Sequence, residues 1–470
     1  MNNNIILLNT DSYKVSMYEQ YPEGTEYISS YIEARGADDP DYQSVLFFGL
    51  QIFIKEYLTK PITRKELYEA RDIYAMHGVP FNFDGWMYIV NQCGGKLPIE
   101  ISAIPEGTRT PLGTALVQVR NTDKNVPWLT TWVETALLRA IWYPTTVATN
   151  SWTIKQFMKM YYDMDGSKDG LNFKLHDFGS RGASSMESSM IGGLAHMVNF
   201  MGTDTVSALV AGRRWYNEKC AGFSIPAAEH STITTWGEEN EVDAYRNMLN
   251  KFGGNGKMLA VVSDSYDIYN AARNLWGDEL KQEVIDSGAI VVIRPDSGNP
   301  ETVPIEIIKI LMDKFGYTEN EQGFKTLPGN VRVIQGDGIN RMSIKNILQN
   351  LHKSKMTVDN LAFGMGGALL QGSDVQPINR DTLKFAMKAS AICVNGEWRD
   401  VYKNPVGDSS KASKRGVLDT VTDGFGNVLT VRVGEMPIGY NSMMPTVYRD
   451  GELLIEDDFA TIRERANYSG

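Results

Sequence analysis

Four short apolar stretches of the chain each end abruptly in a polar or glycine-rich loop, and this recurrence constrains the fold more than any other feature. Segments of helical period separate them. Strands that alternate with helices in this way form parallel sheets or barrels, in which the loops at the carboxyl ends of the strands carry function. The four stretches are Met258–Asp267, Gly288–Pro300, Val331–Gly338 and Asn360–Gly367, and the helical segments are Ser265–Trp276, Pro304–Phe315 and Arg341–His352.

The loop after the strand Ala289–Arg294 carries a cation, Arg294, a carboxylate, Asp296, and a flexible Ser-Gly-Asn backbone. These groups can hold a phosphorylated sugar. Taken alone, a strand followed by an Asp-Ser-Gly β-turn explains the loop equally well. Because the pattern recurs, the sequence predicts a single pocket at the strand ends. We expect five residues to converge there: Asp264, Arg294, Asp296, Asp337 and Gly366.

Length and charge exclude several classes of protein. The chain has 470 residues, enough for two or three domains. Its net charge of −11 argues against non-specific binding to nucleic acid or anionic membranes, which requires an excess of Lys and Arg. The cysteines, Cys93, Cys220 and Cys393, form no CxxC, so a reducing cytoplasm is expected. Since no apolar run reaches the length of a membrane span, no export or membrane insertion is expected.

Four segments outside the repeated units have a clear local pattern. The N-terminus predicts a strand at Ile5–Leu8 and then a helix to about Tyr21 that presents Tyr13 as a surface aromatic, a residue type enriched where another chain docks. The other segments predict a helix at Val45–Tyr57, antiparallel strands within Leu97–Val119, and a helix at Trp128–Trp142 that Pro144 closes before a second helix at Ala148–Tyr162.

Three further loops carry candidate functional groups. Residues 176–182 place Phe178 and Arg181 beside exposed backbone, Asp204 follows a short strand, and Glu229 and His230 stand at a predicted helix start. A buried Phe can simply plug a turn, and a lone His is more often structural than catalytic. Ser184–Phe200 has small residues at close spacing, typical of a closely packed helix. The Lys-rich segment 407–415 suits either a solvated loop or an anion clamp.

Common nucleotide-binding motifs are missing. Lys257 follows Gly256, but Met258 replaces the Ser or Thr that a phosphate-binding P-loop requires. The glycines around Gly366 do not form a dinucleotide fingerprint, because Leu369 takes the sixth position. Any phosphate site must therefore be built differently.

Eight motifs in order carry a resemblance that covers nearly the whole chain. They are TDSYK (10–14), HDFGSRG (176–182), GTDTV (202–206), SIPAAEHSTIT (224–234), VSDSYDIYNA (262–271), IRPDSGNP (293–300), VIQGDG (333–338) and FGMGG (363–367). Together they resemble the type II phosphoribosyltransferases of the nicotinate and nicotinamide phosphoribosyltransferase family. The resemblance is weakest in 36–125 and in the tail.

The resemblance implies a reaction, its cofactors and an assembly. Phosphoribose passes from phosphoribosyl pyrophosphate to the ring nitrogen of nicotinamide, giving nicotinamide mononucleotide and pyrophosphate, with Mg²⁺. ATP is implied as a facultative co-substrate that phosphorylates a histidine. The implied assembly is a cytoplasmic homodimer with shared active sites and without nucleic-acid or membrane partners. The expected fold is an irregular TIM-like α/β barrel, 1–35 and 121–385, packed against a β-rich domain, 36–120 and 386–470.

The family motifs also imply residue roles. For the nicotinamide ring they imply Phe178, Asp204, Arg181, Arg294 and Ser224, with Tyr13 and Asp11 coming from the partner subunit. For phosphoribose and phosphate they imply Asp296, Gly336, Asp337, Gly366, Gly367, Arg380, Lys388, Lys403 and Lys411. The implied phosphohistidine is His230, oriented by Asp264 and Glu229, and Asp296 is also a catalytic candidate.

The sequence departs from the family pattern at two places, and three alternative functions are considered. Ser180 replaces a tyrosine of the vertebrate enzymes, and 372–378 resembles an insertion; either could alter ATP coupling and affinity. The nearest alternative is a nicotinate phosphoribosyltransferase, against which the carboxylate of Asp204 argues. A phosphosugar isomerase or aldolase would need a Schiff-base lysine at a strand end, and the motifs contain none. A secreted signalling protein is disfavoured by the intact set of site motifs.

Overall fold

The computed structural model describes residues 6–167, 170–407 and 412–468. It contains two compact units. One comprises Met1–Thr149, Arg214–Glu218 and Asn379–Gly470, and the other comprises Asn150–Arg213 and Lys219–Ile378. The first is built on antiparallel sheets and the second on a parallel sheet, which confirms the predicted mixed α/β class with separate β-rich regions. Within these ranges, every helix is too short or too polar to cross a membrane.

The parallel unit contains a six-stranded sheet whose strands all run in one direction. Both edges of the sheet bond to one irregular segment, because Gly202 bridges Phe223 and Ala260 bridges Ala227, each in parallel. The segment 223–227 therefore joins the two edges and completes a closed, irregular barrel. The strand order is Gly202–Thr203, Leu175–Asp177, Leu361–Met365, Val331–Gln335, Ile290–Arg294 and Met258–Val262.

The helices between these strands form where the sequence predicts them. The helix Arg341–Lys353 begins at Asn340, whose side chain accepts a hydrogen bond from the Ser343 amide at 2.9 Å, and ends in basic residues that favour its carboxyl end. The remaining helices of this unit are Met186–Met197, His230–Thr234, Glu241–Phe252, Ile268–Asn270, the π-helical Ala271–Glu279, Lys281–Ser287, Val303–Phe315 and Gly367–Leu370, with short 3-10 turns at Leu171–Phe173, Ser180–Gly182, Glu238–Asn240 and Val358–Asn360. A small hairpin pairs Thr318–Glu319 with Lys325–Thr326.

The antiparallel unit is organised around a seven-stranded sheet. In spatial order its strands are Glu397–Asp400, Phe385–Val394, Thr25–Ala34, Ala115–Asn121, Ile99–Ala103, Thr446–Arg449 and Glu452–Leu453. A three-stranded sheet joins Val428–Arg432, Leu418–Thr422 and Asn441–Ser442, and a two-stranded one joins Ser44–Leu46 to Arg109–Pro111. The predicted barrel range included 1–35, but Thr25–Ala34 is a central strand of this sheet, so the two divisions of the chain differ there.

Three tryptophans lie in the core of the antiparallel unit. Trp86, Trp128 and Trp132 are buried, with ring centroids 5.0 to 5.9 Å apart. Such aromatic contacts add to the free energy gained from burial. The helical segments of this unit are Ile6–Leu8, Ser12–Val15, Met17–Glu19, Leu50–Phe53, Ile54–Leu58, Arg64–His77, Phe83–Gln92, Leu129–Trp132 and Phe459–Tyr468. Two longer helices, Glu134–Asp165 and Val206–Tyr216, contain residues of both units.

Three local predictions are wrong. The described part of the predicted N-terminal strand, Ile6–Leu8, is a 3-10 turn. Val45 and Leu46 pair with Thr110 and Arg109 in a strand, and the helix begins only after Gly49, whose φ of 107° suits glycine.

The helix predicted to close at Pro144 instead runs unbroken from Glu134 to Asp165. A Cβ at Gly49 would lie 2.3 Å from Pro144 Cγ, so glycine leaves space for the proline ring on the side of the helix. Burial of the helix compensates for the hydrogen bond that proline cannot donate.

Candidate active site

Arg294 is the last residue of its barrel strand and lies among three carboxylates. Its Nε donates to Asp296 Oδ1 at 3.0 Å and its Nη2 to Asp296 Oδ2 at 2.6 Å, a bidentate pair. Burial disfavours the guanidinium charge, but Asp296, and less strongly Asp264 and Asp204, outweigh it and raise the pKa of Arg294. The ends of three strands and the loops that follow them therefore place one cation and three anions at the same end of the barrel, as the repeated pattern predicts.

The ring of Phe178 lies against the backbone of two neighbouring strands. Its amide donates to the carbonyl of Met365 at 2.9 Å, and its centroid lies 6.0 Å from Arg294 Cζ. A Cβ at Gly364 would lie 1.9 Å from Phe178 Cε2, and one at Gly336 would lie 3.5 Å from the same atom. Only glycine at 364 leaves space for the ring, which remains partly exposed rather than sealed in the core.

Asp204 occupies the next loop and is fixed by two hydrogen bonds. Its amide donates to the Asp177 carbonyl at 2.9 Å, and its Oδ1 accepts from Ser224 Oγ at 2.5 Å. Ser224 belongs to the irregular segment that closes the barrel. The carboxylate itself is exposed, and its ionised form presents an acceptor with a negative charge.

His230 and Asp264 form a hydrogen-bonded pair, with His230 Nε2 2.9 Å from Asp264 Oδ1. The imidazole is 46% exposed, whereas the carboxylate is only 3% exposed. The buried carboxylate of Asp264 therefore holds an imidazole that a substrate can reach from solvent. Glu229 instead caps the helix: its carboxylate accepts from Ser231 Oγ, and its amide donates to Thr232 Oγ1 at 3.2 Å. Of the two partners predicted for His230, the structure places Asp264 on the imidazole.

Glycines bring the remaining strand-end loops close together. A Cβ at Gly182 would lie 2.8 Å from Gly367 Cα, and one at Gly179 would lie 2.9 Å from the Gly366 carbonyl oxygen. The loops 176–182 and 363–367 therefore pack backbone against backbone. A Cβ at Gly336 would lie 2.9 Å from Asp296 Oδ1, which places this glycine beside the Arg294 pair. Arg181 and Asp337 are exposed in the same group of loops.

A cavity of about 450 Å³ runs inside the parallel unit. At the strand ends its wall contains Phe178, Asp204 and Ser224. Its middle is aliphatic, formed by Ala260, Val292 and Ile334, against which Phe178 packs. An apolar channel that ends at an aromatic ring and a carboxylate suits a flat, largely apolar ligand with one polar substituent.

The other predicted residues that the structure describes lie in the antiparallel unit. Tyr13 is 63% exposed on the short helix Ser12–Val15. Burial lowers the pKa of Lys388; Glu134 opposes this effect, and Arg35, Lys14 and Lys403 reinforce it. The remaining three residues are Arg380, which donates to the Phe385 carbonyl at 2.8 Å, Asp11, which is exposed, and Lys411, which lies outside the described residues.

Comparison with known proteins identifies the family to which the chain belongs. The model of the nicotinate phosphoribosyltransferase (NAPRTase) family matches residues 173–434, and the model of the nicotinamide phosphoribosyltransferase N-terminal domain matches residues 4–101. A Xanthomonas campestris pv. campestris protein named nicotinamide phosphoribosyltransferase is 48% identical over 98% of both chains. The chain belongs to the nicotinate and nicotinamide phosphoribosyltransferase family. An Acinetobacter baylyi relative of the same name is 30% identical, covering 97% of this chain and 95% of its own.

Two solved structures share the fold of this chain. Nicotinate-nucleotide pyrophosphorylase from Pyrococcus furiosus superposes with a TM-score of 0.65 at 15% identity, covering 100% of this chain and 96% of its own. Human nicotinic acid phosphoribosyltransferase superposes with a TM-score of 0.56 at 15% identity, covering 98% and 93%. At these identities the likeness concerns the fold alone.

Prediction from the motifs overlooked two residues of this phosphoribosyltransferase site. Gly364 accommodates the Phe178 ring, and Asp177 is a buried carboxyl group whose Oδ1 accepts from the Gly179 amide at 2.7 Å. Burial raises the pKa of Asp177 to about 6. Both residues stand inside quoted motifs, HDFGSRG and FGMGG, but nothing in the sequence says which glycine faces the ring or which aspartate is buried.

The carboxylates at the strand ends fit the Mg²⁺ that the family implies. Among the described residues no three metal-binding side chains cluster together. Asp296 is paired with Arg294 and Asp264 with His230, so each is a hard oxygen donor already held in place. Mg²⁺ is typically bound by one or two carboxylates together with substrate phosphates and water. The donor set therefore suits an ion that arrives with a pyrophosphate.

Proposed function

We propose that this enzyme transfers phosphoribose from phosphoribosyl pyrophosphate to nicotinamide, giving nicotinamide mononucleotide and pyrophosphate in NAD salvage. The observation that carries the proposal is the exposed Asp204 carboxylate beside Phe178 at the end of an apolar cavity. The names of the Xanthomonas and Acinetobacter relatives support the same activity. The spacing of the three cysteines supports a cytoplasmic location.

Asp204 determines the choice of substrate in this proposal. A carboxylate accepts a hydrogen bond from the carboxamide nitrogen of nicotinamide, whereas nicotinate would bring a second negative charge against it. Juxtaposed like charges cost several kcal/mol, enough to dominate selectivity. Ser224 holds Asp204 Oδ1 and so fixes the direction in which the carboxylate accepts.

The chemical step requires positioning and charge stabilisation. As pyrophosphate leaves, positive charge develops on the ribose, so the site must align the ring nitrogen with the sugar and exclude water. Phe178 stacks on the pyridine ring, and Arg181 and Arg294 contact ring amide and phosphate. Asp296 and Asp337 accept from the ribose hydroxyls, and the amides of Gly336, Gly366 and Gly367 receive phosphate. Asp264 or Asp296 would hold Mg²⁺, which would supply positive charge to neutralise the departing pyrophosphate.

A second copy of the chain completes the site. In this proposal Tyr13 and Asp11 come from the partner subunit, with Tyr13 covering the other face of the nicotinamide ring. Arg380, Lys388, Lys403 and Lys411 supply positive charge for the phosphates. The five of these residues that the structure describes lie in the antiparallel unit, which supports their acting as one group.

ATP acts as a facultative co-substrate at His230. If Nε2 carries the proton donated to Asp264, the lone pair of Nδ1 attacks the γ-phosphorus of ATP and ADP leaves. Asp264 holds the imidazole in this tautomer.

The test compares nicotinamide and nicotinate as substrates for the wild-type protein and for Asp204→Asn. Asparagine keeps the shape of the side chain but removes its charge, so we expect the preference for nicotinamide, measured as the ratio of kcat/KM values, to fall by about tenfold or more. Asp286→Asn makes the same change on an exposed helix of the parallel unit and should leave the ratio unaltered. An unchanged ratio in Asp204→Asn would refute the role of this carboxylate.

A further inference from the structure

Most residues of the segment 6–14 make buried or hydrogen-bonded contacts with other parts of the antiparallel unit. Ile6 and Leu7 are buried, and their carbonyls accept hydrogen bonds from Trp132 Nε1 at 3.2 Å and from the Tyr74 hydroxyl at 2.7 Å. Terminal segments are normally poorly ordered unless they are held by contacts of this kind. The segment therefore enters the short helix Ser12–Val15 from a fixed starting point.

The turn that leads into this helix is held by polar side chains. Thr10 Oγ1 donates to the Trp132 carbonyl at 2.9 Å, and Asp11 Oδ2 accepts from Thr135 Oγ1 at 2.6 Å. Ser12 Oγ lies 2.6 Å from His77 Nε2, and Lys14 Nζ, only 4% exposed, forms an ion pair with Glu134. These contacts come from three directions: the helix Leu129–Trp132, the start of the helix Glu134–Asp165, and the end of the helix Arg64–His77.

Tyr13 stands in the middle of these anchored residues and is 63% exposed. Ordering a backbone residue costs conformational entropy. The contacts on both sides of Tyr13 therefore order the backbone that carries its exposed ring. Pre-organisation of this kind strengthens binding because the ordering cost does not recur when the ring meets its partner.

We infer that Thr135 and His77 are positioning residues for the transfer reaction: they hold the turn Thr10–Lys14 so that Tyr13 enters the nicotinamide site of a second copy of this chain in a preformed conformation. The inference rests on the proposed function. Thr135 acts through Asp11 and His77 acts through Ser12, and neither side chain contacts substrate. Asp11 is accordingly an anchor of the turn in its own subunit.

The variants Thr135→Val and Thr135→Ser separate positioning from simple folding. Valine keeps the volume of threonine and removes the hydroxyl group, whereas serine keeps the hydroxyl group. Loss of one hydrogen bond of about 1 kcal/mol predicts that Thr135→Val raises KM for nicotinamide about fivefold with a smaller change in kcat, while Thr135→Ser stays close to wild type. His77→Gln should retain more of the wild-type KM than His77→Ala, because glutamine can still bond to Ser12.

Mixed dimers test whether the turn acts on the neighbouring site. The Phe178→Ala variant lacks the stacking residue of the barrel site but keeps Tyr13. The Tyr13→Ala variant lacks the aromatic residue of the turn but keeps Phe178. In a mixed dimer one site then combines both intact parts, so equal mixing after subunit exchange should restore about a quarter of wild-type activity, although each parent is nearly inactive. Replacing Tyr13→Ala by Thr135→Val in the mixture should give an active site with wild-type KM for nicotinamide.

The outcomes separate the inference from the proposed function. A wild-type protein that makes no mononucleotide from nicotinamide would defeat the proposed function itself. An active wild type with an unchanged nicotinamide KM in Thr135→Val, at an unchanged melting temperature, would overturn the inference alone. Failure of the Phe178→Ala and Tyr13→Ala mixture to regain activity in verified mixed dimers would overturn the assignment of the turn to the neighbouring site.

Discussion

Asp177 connects the chemistry of a single buried carboxyl group to the geometry of the whole loop. Its Oδ1 accepts from the Gly179 amide at 2.7 Å, and its carbonyl accepts from the Asp204 amide at 2.9 Å. Gly193 of the helix Met186–Met197 lies so close that a Cβ there would be 2.9 Å from Asp177 Oδ2. One residue thus fixes the loops of Phe178 and Asp204 together, and the close packing predicted for this helix is confirmed.

The raised pKa of Asp177 predicts a pH dependence of stability. Because the folded-state pKa of about 6 lies above the ordinary value of 3.8, the native state binds the proton more tightly than the unfolded state. This contribution to stability is fully present below pH 3.8 and is lost as pH rises through about 6. Asp177→Asn cannot titrate, so relative to wild type its free energy of unfolding should increase by on the order of 3 kcal/mol between pH 4 and pH 7.5.

Urea unfolding at several pH values measures this difference, with Asp286→Asn as the exposed control. The two proteins should diverge only across the window from about pH 4 to pH 6.5. Parallel stability curves for Asp177→Asn and wild type would show that the carboxyl group is not protonated preferentially in the folded protein.

At the scale of elements, the spacing of neighbouring barrel strands makes the ring-binding wall. Leu361–Met365 lies between Leu175–Asp177 and Val331–Gln335, and its Gly364 supplies the gap into which Phe178 fits. The position of the Phe178 ring is therefore set by the adjacent strand of the sheet and by the loop that carries it.

Gly364→Ala should displace the Phe178 ring. The new methyl group would lie within 2 Å of the present position of Phe178 Cε2, so the ring must rotate or the strand must move. Since stacking of a base-sized ring contributes about 1–3 kcal/mol, KM for nicotinamide should rise by roughly 5- to 150-fold. Gly329→Ala, where a Cβ meets nothing within 4 Å, is the matched control. Unaltered nicotinamide kinetics in Gly364→Ala would mean that Phe178 does not stack on the substrate.

The elements that sequence reasoning predicted are those with strong local patterns. The strands Met258–Val262 and Ile290–Arg294 are continuous apolar runs, and the helix Arg341–Lys353 has both a cap and an apolar stripe. The prediction that Pro144 ends the helix was wrong. The helix accommodates this proline because Gly49 leaves space for its ring, and Gly49 is distant from Pro144 in the sequence.

The site was predictable in its composition but less so in its contacts. The strand-end loops indicated Arg294, Asp296 and Asp264. In the structure, the two carboxylates lie close enough to the Arg294 guanidinium to raise its pKa. The hydrogen bond of Asp11 to Thr135 and the capping role of Glu229 were not predictable, because each depends on which way a short polar side chain turns. The cavity inside the barrel likewise requires closure of the sheet through residues 223–227.

For the molecule as a whole, negative net charge and an anionic substrate are compatible because positive charge is concentrated locally. The chain carries a net charge of −11, yet in the antiparallel unit Arg35, Lys14 and Lys403 are all close enough to Lys388 to lower its pKa. The parallel unit supplies Arg294 at the strand ends.

The measurement that tests the account most directly is product analysis of the full-length protein. The protein is incubated with phosphoribosyl pyrophosphate, Mg²⁺ and either nicotinamide or nicotinate. The products are then separated, identified by mass spectrometry and quantified. We predict nicotinamide mononucleotide and pyrophosphate in equal amounts from nicotinamide, with little product from nicotinate. Nicotinate mononucleotide as the main product, or no mononucleotide from either base, would contradict the account.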